Sequence, residues 1–375
     1  MALMDELGLF TIEDMENRAA TVMPRGIFNM VDGGASDKTS FQRAQKALDA
    51  LALRPQYLVD VSKVECDTTV LGTSISQPIL CAPTFGQGAA RLEGELATAR
   101  SAGNAGTIMI LSHASTYQLE DVMNVSTGPV WAQIFLLKDR ELLKNYIQES
   151  ESLGCKAIVL TVDLSTIQLA MNEQDLRNAN LRHASLTPAN LFRENSQGDK
   201  IQVDLKDSID LNVSWDSLDW VSSVTKLPVV VKGILRADDA VRATEHGAKG
   251  IIVSNLASKA STGVISSIEA LPEIVEAVWG KSEVMVDGGF RKGQDILKAL
   301  ALGARAVCVG KPIYYALANG GEEGVDRMFQ ILKSGLLHSM GMCGRIDIQS
   351  LDRKLVVKVP SLYEPTVTAT HWSTE

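Results

Sequence analysis

Eight short apolar runs, spaced through the chain at intervals that a helix would fill, constrain this sequence more than any other feature in it. They lie at 77–84 (QPILCAPT), 106–112 (GTIMILS), 129–135 (PVWAQIF), 157–163 (AIVLTVD), 228–233 (PVVVKG), 250–255 (GIIVSN), 282–289 (SEVMVDGG) and 306–312 (AVCVGKP). None alternates cleanly between apolar and polar residues, so each reads as a strand buried on both faces. Helical stretches separate them: LEGELATARSAGNA after the first, DRELLKNYIQESESLG after the third, RADDAVRATEHGA after the fifth, SSIEALPEIVEAVWG after the sixth and GQDILKALALGA after the seventh. Several end in glycine, the residue that closes a helix most readily.

An eightfold βα repeat predicts an α/β chain closed into a (β/α)₈ barrel, with a doubly wound open sheet as the alternative. One domain then spans residues 1–375. Residues 1–60 read as a helical lead-in, with a helix cap at Thr11. The connection after the fourth strand, 164–214, is long, polar and turn-rich, and reads as a lid over the barrel mouth. Residues 321–344 read as an amphipathic helix, and 357–375 as an extended tail.

Charge narrows the class of partner. The formal net charge is −9, which argues against a nucleic-acid face yet leaves room for a local cationic site holding an anionic ligand. The five cysteines and five histidines show no metal-binding spacing. There is no apolar stretch of membrane-spanning length, no secretory leader pattern and no peroxisomal address in the final HWSTE. Together these predict a reduced, cytoplasmic, metal-free protein without a membrane partner.

Polar residues cluster where the runs end: Thr84, Ser112, Gln133, Thr161 with Asp163, Lys232, Ser254 with Asn255, Asp287 and Lys311. In a barrel that is the ligand face; the bland alternative is that Ser and Thr cap the following helices. Gly288, Gly289 and Arg291 after the seventh run, and Gly310 and Lys311 after the eighth, suit a phosphate: glycines admit close backbone approach and Arg offers a fork. Gln133 can both donate and accept, which suits a heterocycle edge. Lys232 ends an apolar strand, where an unpaired ammonium is costly. It can stabilise negative charge on a ligand, or it can form a Schiff base; the pattern alone leaves both open.

The segments GASDKTS, LRPQYLVDVS, ISQPILCAPT, GELATARSAGNAGTIMILS, LTVD, LPVVVKGI, HGAKGIIVSN and VDGGFRKGQDILKALALGARAVCVGKP, with Gly344–Arg345, occur in an order that resembles the FMN-dependent 2-hydroxy-acid oxidases and dehydrogenases, such as glycolate oxidase and lactate oxidase. The resemblance covers residues 8 to 350. It implies FMN held by Pro83, Thr84, Ser112, Gln133, Thr161, Lys232, Ser254, Asp287, Gly288, Gly289, Arg291, Gly310 and Lys311, and a homo-oligomer. Lys311 stands where the family usually has Arg. On the substrate side the departures are larger. The family's SNHGxRQ reads SNLASKAST here, with Leu256 for the His base and Lys259 for the carboxylate-binding Arg. A second Arg is matched near Ala170, and two Tyr positions by Met30 and Phe135.

Leu cannot accept a proton, and Ala, Met and Phe donate no hydrogen bond. These losses predict an FMN-dependent oxidoreductase acting on an organic substrate other than a simple 2-hydroxy acid, in a specialised biosynthetic pathway, with oxygen or another electron acceptor. Lactate and glycolate oxidation would be absent, and Leu256→His alone would not restore it. Asp163, matching the carboxylate that orients the lost His, becomes a candidate general acid/base, with Lys259 a residual attraction for an anion; a structural role for Asp163 is the alternative. Other readings are a flavin-dependent rearrangement, a non-catalytic FMN-binding protein, an ordinary 2-hydroxy-acid oxidase and a Lys232 aldolase.

Overall fold

The computed structural model of the chain describes residues 2–33, 39–163, 189–190, 192–194, 200–202, 208–255 and 263–359. Eight strands are the eight apolar runs: β1 Ile79–Cys81, β2 Met109–Leu111, β3 Val130–Phe135, β4 Ile158–Thr161, β5 Val229–Ile234, β6 Gly250–Val253, β7 Glu283–Asp287 and β8 Ala306–Val309. Neighbours in sequence are neighbours in space, every pairing is parallel, and β8 returns to β1, so the sheet is a closed barrel rather than an open one.

Helices clothe the barrel where the sequence places them: Gly94–Asn104, Arg140–Ser152, Ala237–Glu245, Ser267–Val278 and Gly293–Ala301. Their starts follow from side chains that satisfy open backbone N–H groups. Asp139 accepts from Leu142 N, and Ser266 and Glu269 form a reciprocal box. Thr11 does the same for Ile12–Val22 with Asp14, as its sequence predicts. The chain after β8 makes Lys311–Gly320 and the long Glu322–Met342, the latter filling the expected 321–344.

Successive residues of a strand point to opposite sides. Leu80, Ile108, Ile110, Trp131, Ala157, Val159, Val230, Ile252, Met285, Ala306 and Cys308 fill the interior, while Ile79, Met109, Ile134, Ile158, Val231, Ile251, Val286 and Val307 pack outward in the larger core. A hairpin, Thr68–Val70 with Thr73–Ile75, sends Val70 and Ile75 into the same interior cluster. Its turn residues Leu71 and Gly72 both have positive φ, the tight-hairpin conformation. Hydrogen bonds from Leu71 N to Glu283 and from Arg305 to Thr69, at the starts of β7 and β8, hold it at the amino end.

The helical lead-in is shorter than the 1–60 expected. Leu51–Leu53 is a strand, paired antiparallel with Val356–Lys358. Its partner lies at the far end of the chain, so no local pattern announces it. Most of the 164–214 connection, with the proposed lid, lies outside the described residues, as does the tail beyond 359. Of that connection, Asn190 donates to Ser115 Oγ at 2.7 Å and accepts from Leu119 N at 2.8 Å, and Arg140 pairs with Asp210 at 2.7 Å. Asn190 and Asp210 thus tie this connection to the segments after β2 and β3.

Candidate active site

The interior register carries the site. Continuing each inward series by one step of two residues gives Ser112 above Ile110, Gln133 above Trp131, Thr161 above Val159, Lys232 above Val230, Ser254 above Ile252 and Asp287 above Met285. All six are buried. None is the N-cap of a described helix; the described caps there are Asp139, Arg236, Ser266 and Lys292, with Gln118 after β2. The helix-cap alternative therefore fails, and a polar layer closes the carboxyl end of an otherwise apolar barrel.

Lys232 stands at its centre. Its ammonium lies 3.1 Å from Asp287 Oδ2 and donates to Ser254 Oγ at 2.8 Å. Burial pushes the ammonium toward neutrality, but Asp287 and Asp163 outweigh it, so its pKa ends above the ordinary lysine value. A protonated, ion-paired lysine is a poor nucleophile, which removes the support for the aldolase reading. Asp287 Oδ1 is buried without a hydrogen-bond partner among the described residues. Asp163 is raised to about 6, by burial first, with Lys232 opposing and Asp287 adding to the rise. The chain makes room for it with Gly233, at φ +116, where an added Cβ would sit 2.8 Å from Asp163 Cβ and Cγ. The β5–β6 register shifts at this point.

Gln133 is fixed on three sides. Its carbonyl accepts from Ser112 Oγ at 3.2 Å and from His113 N at 3.1 Å, and its amide donates to Thr161 Oγ at 3.0 Å. One amide N–H remains for a ligand. Thr84 accepts from Gln87, whose own carbonyl accepts from Thr98. Pro83 is half-buried just before Thr84.

The loops after β7 and β8 hold the paired glycines. Gly288 and Gly289 have φ +99 and +90, and Ala44 packs 3.0 Å from where a Cβ of Gly289 would lie. A Cβ on Gly310 would meet Thr84 at 3.4 Å. Asp295 steadies the turn, accepting from Arg291 N at 3.2 Å and Lys292 N at 3.0 Å. Arg291 reaches Glu16 at 3.3 Å, and Lys311 donates to the Asp32 carbonyl at 2.9 Å, so both cations touch the lead-in helices.

Phe135 is the next inward step above Gln133, buried at the end of β3, and Met30 lies half-buried on the helix Arg25–Asp32. Ala170, Leu256 and Lys259 lie outside the described residues. Two residues escaped the sequence reading. Glu95 is fully buried and accepts from Gln87 N, Thr116 N and the Thr116 hydroxyl, tying the loops after β1 and β2 together. A carboxylate among the small residues of GELATAR was its only signal. His113 is buried with its ring stacked on Tyr146, and burial pushes its pKa down to about 3. No sequence signal marks it.

The profile of the FMN-dependent dehydrogenases matches residues 19–358. The chain is 40% identical to an L-lactate oxidase of Nostoc sp. over 94% of its own length and 98% of that protein's. It is 36% identical to a peroxisomal (S)-2-hydroxy-acid oxidase of Oryza sativa subsp. japonica, over 92% and 95%. The solved structure of a mandelate oxidase superposes with a TM-score of 0.81 at 34% identity, covering 92% of this chain and 97% of the other.

These likenesses overturn two expectations. The first is a substrate other than a 2-hydroxy acid: lactate and mandelate are 2-hydroxy acids, and the likeness to enzymes named for them runs through the whole barrel. That expectation weighed five side chains without the framework around them, and three of the five, Ala170, Leu256 and Lys259, lie outside the described residues. The second is the cytoplasmic assignment, against which stands a relative that is peroxisomal by name. An address is read by a receptor from a few residues and leaves no mark on composition or core. Matched from residue 19 to 358 and aligned almost end to end with enzymes of one chemistry, the chain belongs to the FMN-dependent dehydrogenase family and is a flavin-dependent oxidoreductase.

Proposed function

We propose that the chain oxidises a 2-hydroxy acid to the 2-oxo acid at the polar layer of its barrel, with oxygen as the final acceptor. The carrying observation is the buried group of Lys232, Asp287, Ser254 and Asp163 at the barrel mouth, in a chain so similar to an L-lactate oxidase. Bound FMN supplies the two-electron acceptor. The residues fit it. Gln133 keeps one amide N–H for a ring edge, and Lys232 spends two of its three donors on Ser254 and Asp287, leaving one for a ring that gains negative charge on reduction. Pro83, Thr84, Ser112 and Thr161 frame that ring. Gly288, Gly289, Arg291, Gly310 and Lys311 receive the phosphate.

On the substrate side, Asp163 takes the hydroxyl proton. With a pKa raised to about 6 it is ionised at neutral pH and yet basic enough to bind a proton. Leu256 stands where the family places its His, which leaves Asp163 as the base. Lys259 attracts the substrate carboxylate in place of the family's Arg. Met30 and Phe135, with Ala170 and Leu256 apolar in sequence where the family has Arg and His, favour an acid with an apolar side group. The test is anaerobic reduction of the FMN-loaded protein by glycolate, L-lactate and mandelate, followed in the visible flavin band. Bleaching by any of them is the expected result, and fastest by mandelate. A flavin left oxidised by all three sinks the reading.

A further inference from the structure

Tyr315, on the first helix after β8, stands between the two cations of the phosphate loops and the N-terminal helices. Its hydroxyl donates to Asp32 Oδ1 at 3.1 Å, and the Arg291 guanidinium lies over its ring, 5.5 Å from the centroid. Phe28 packs at its side, ring to ring at 6.2 Å. Arg291 is held from the other direction by Glu16, on Ile12–Val22, and Lys311 by the Asp32 carbonyl, at the end of Arg25–Asp32. Asn319 adds a bond at 2.8 Å to the Met15 carbonyl. Tyr315, Asp32, Lys311 and Asn319 are all buried.

Two long, flexible cations would lose much of their rotamer freedom on clamping a phosphate. Here that loss is met on folding, by contacts from the lead-in added to those from the barrel's own Phe290 and Tyr315. Glu16 takes Arg291 through Nε, the inner nitrogen, and the Phe290 carbonyl accepts from Nη1 at 3.2 Å, so the guanidinium is oriented from two sides. From this circuit we infer that Glu16, Asp32 and Tyr315 are positioning residues for the cofactor phosphate, and that docking of the two N-terminal helices and occupancy of the phosphate site are thermodynamically linked. This inference rests on the reading that places the phosphate at Arg291 and Lys311. By reciprocity, FMN protects the helices as far as the helices tighten FMN.

Riboflavin has the same ring and no phosphate, so it separates positioning from general stability. Dissociation constants of FMN and riboflavin are measured by fluorescence quenching for wild type, Glu16→Ala, Tyr315→Phe and Arg291→Gln. Hydrogen exchange over residues 12–32 is measured with and without FMN. Glu16→Ala and Tyr315→Phe are expected to weaken FMN about 3- to 10-fold with riboflavin unchanged, and FMN to slow exchange in both helices of wild type. Equal weakening of the two ligands would make the residues merely structural. Tighter FMN in Glu16→Ala would make Glu16 a competitor of the phosphate. Either result, or FMN-independent exchange, overturns the inference. Arg291→Gln tests the underlying site: if it weakens FMN no more than riboflavin, the phosphate lies elsewhere, whatever the other variants do.

Discussion

Asp163 is where a single side chain decides most. Its carboxyl is raised to about 6 from an ordinary 3.8, so between those values the folded protein holds a proton that the unfolded chain has released. Folding stability therefore falls as pH rises through that window and levels off above it. Asp163→Asn cannot titrate. In the apo-protein its stability relative to wild type should improve from pH 4 to pH 6, by about 2–3 kcal/mol at most, as read from urea unfolding. The same substitution should lower turnover roughly 10²- to 10⁴-fold while the visible spectrum still reports bound FMN. Undiminished turnover would assign the proton to another group. Sequence brought Asp163 forward through its TVD context, but its environment comes from Lys232 and Asp287 on two other strands, which no spacing reveals.

At the scale of the element, the end of β5 shows how backbone and side chain constrain each other. Gly233 has a left-handed φ of +116 and lies against Asp163, whereas Gly154, at φ +90, has open space where a side chain would go. Alanine at either position meets backbone strain; only at Gly233 does it also meet a buried carboxyl. Gly154→Ala should cost about 1 kcal/mol and Gly233→Ala roughly 2–4 kcal/mol, compared by denaturant midpoints. Equal losses would mean that Asp163 moves aside freely. The strand was legible as PVVVKG, an apolar run ending in Lys and Gly. The bulge was not, because it answers to β6 and to Asp163. Likewise Leu51–Leu53 and the hairpin at 68–75 are too short to stand above local noise, and depend on a distant strand and on the barrel interior.

The whole molecule brings the proposed cofactor site to one end of a barrel, and ligand binding should be felt through all of it. A ligand that binds only the folded state stabilises it by mass action, about 2.7 kcal/mol at a hundredfold excess over its dissociation constant. Thermal unfolding of the apo-protein should therefore shift upward with each increment of FMN. A midpoint indifferent to FMN would show that the barrel mouth does not hold it. Function was read less well than fold. The FMN motifs carried the cofactor correctly, yet five side chains read as departures from the family pattern outweighed the framework shared with an L-lactate oxidase along nearly the full chain.

What the sequence determined by itself is what repeats or is local: eight strands buried on both faces, the helices between them, the cap at Thr11, and the set of polar residues at strand ends. Hydrophobic period and capping chemistry act within a dozen residues, so they can be read without knowing the fold. The tertiary structure alone decided the contacts that bring Lys232, Asp287, Ser254 and Asp163 together, and the reach of Glu16 and Asp32 to the cations after β7 and β8. Those are contacts between residues remote in the chain. Their strength depends on distance and burial, which exist only once the strands have closed and excluded water from the layer at their ends.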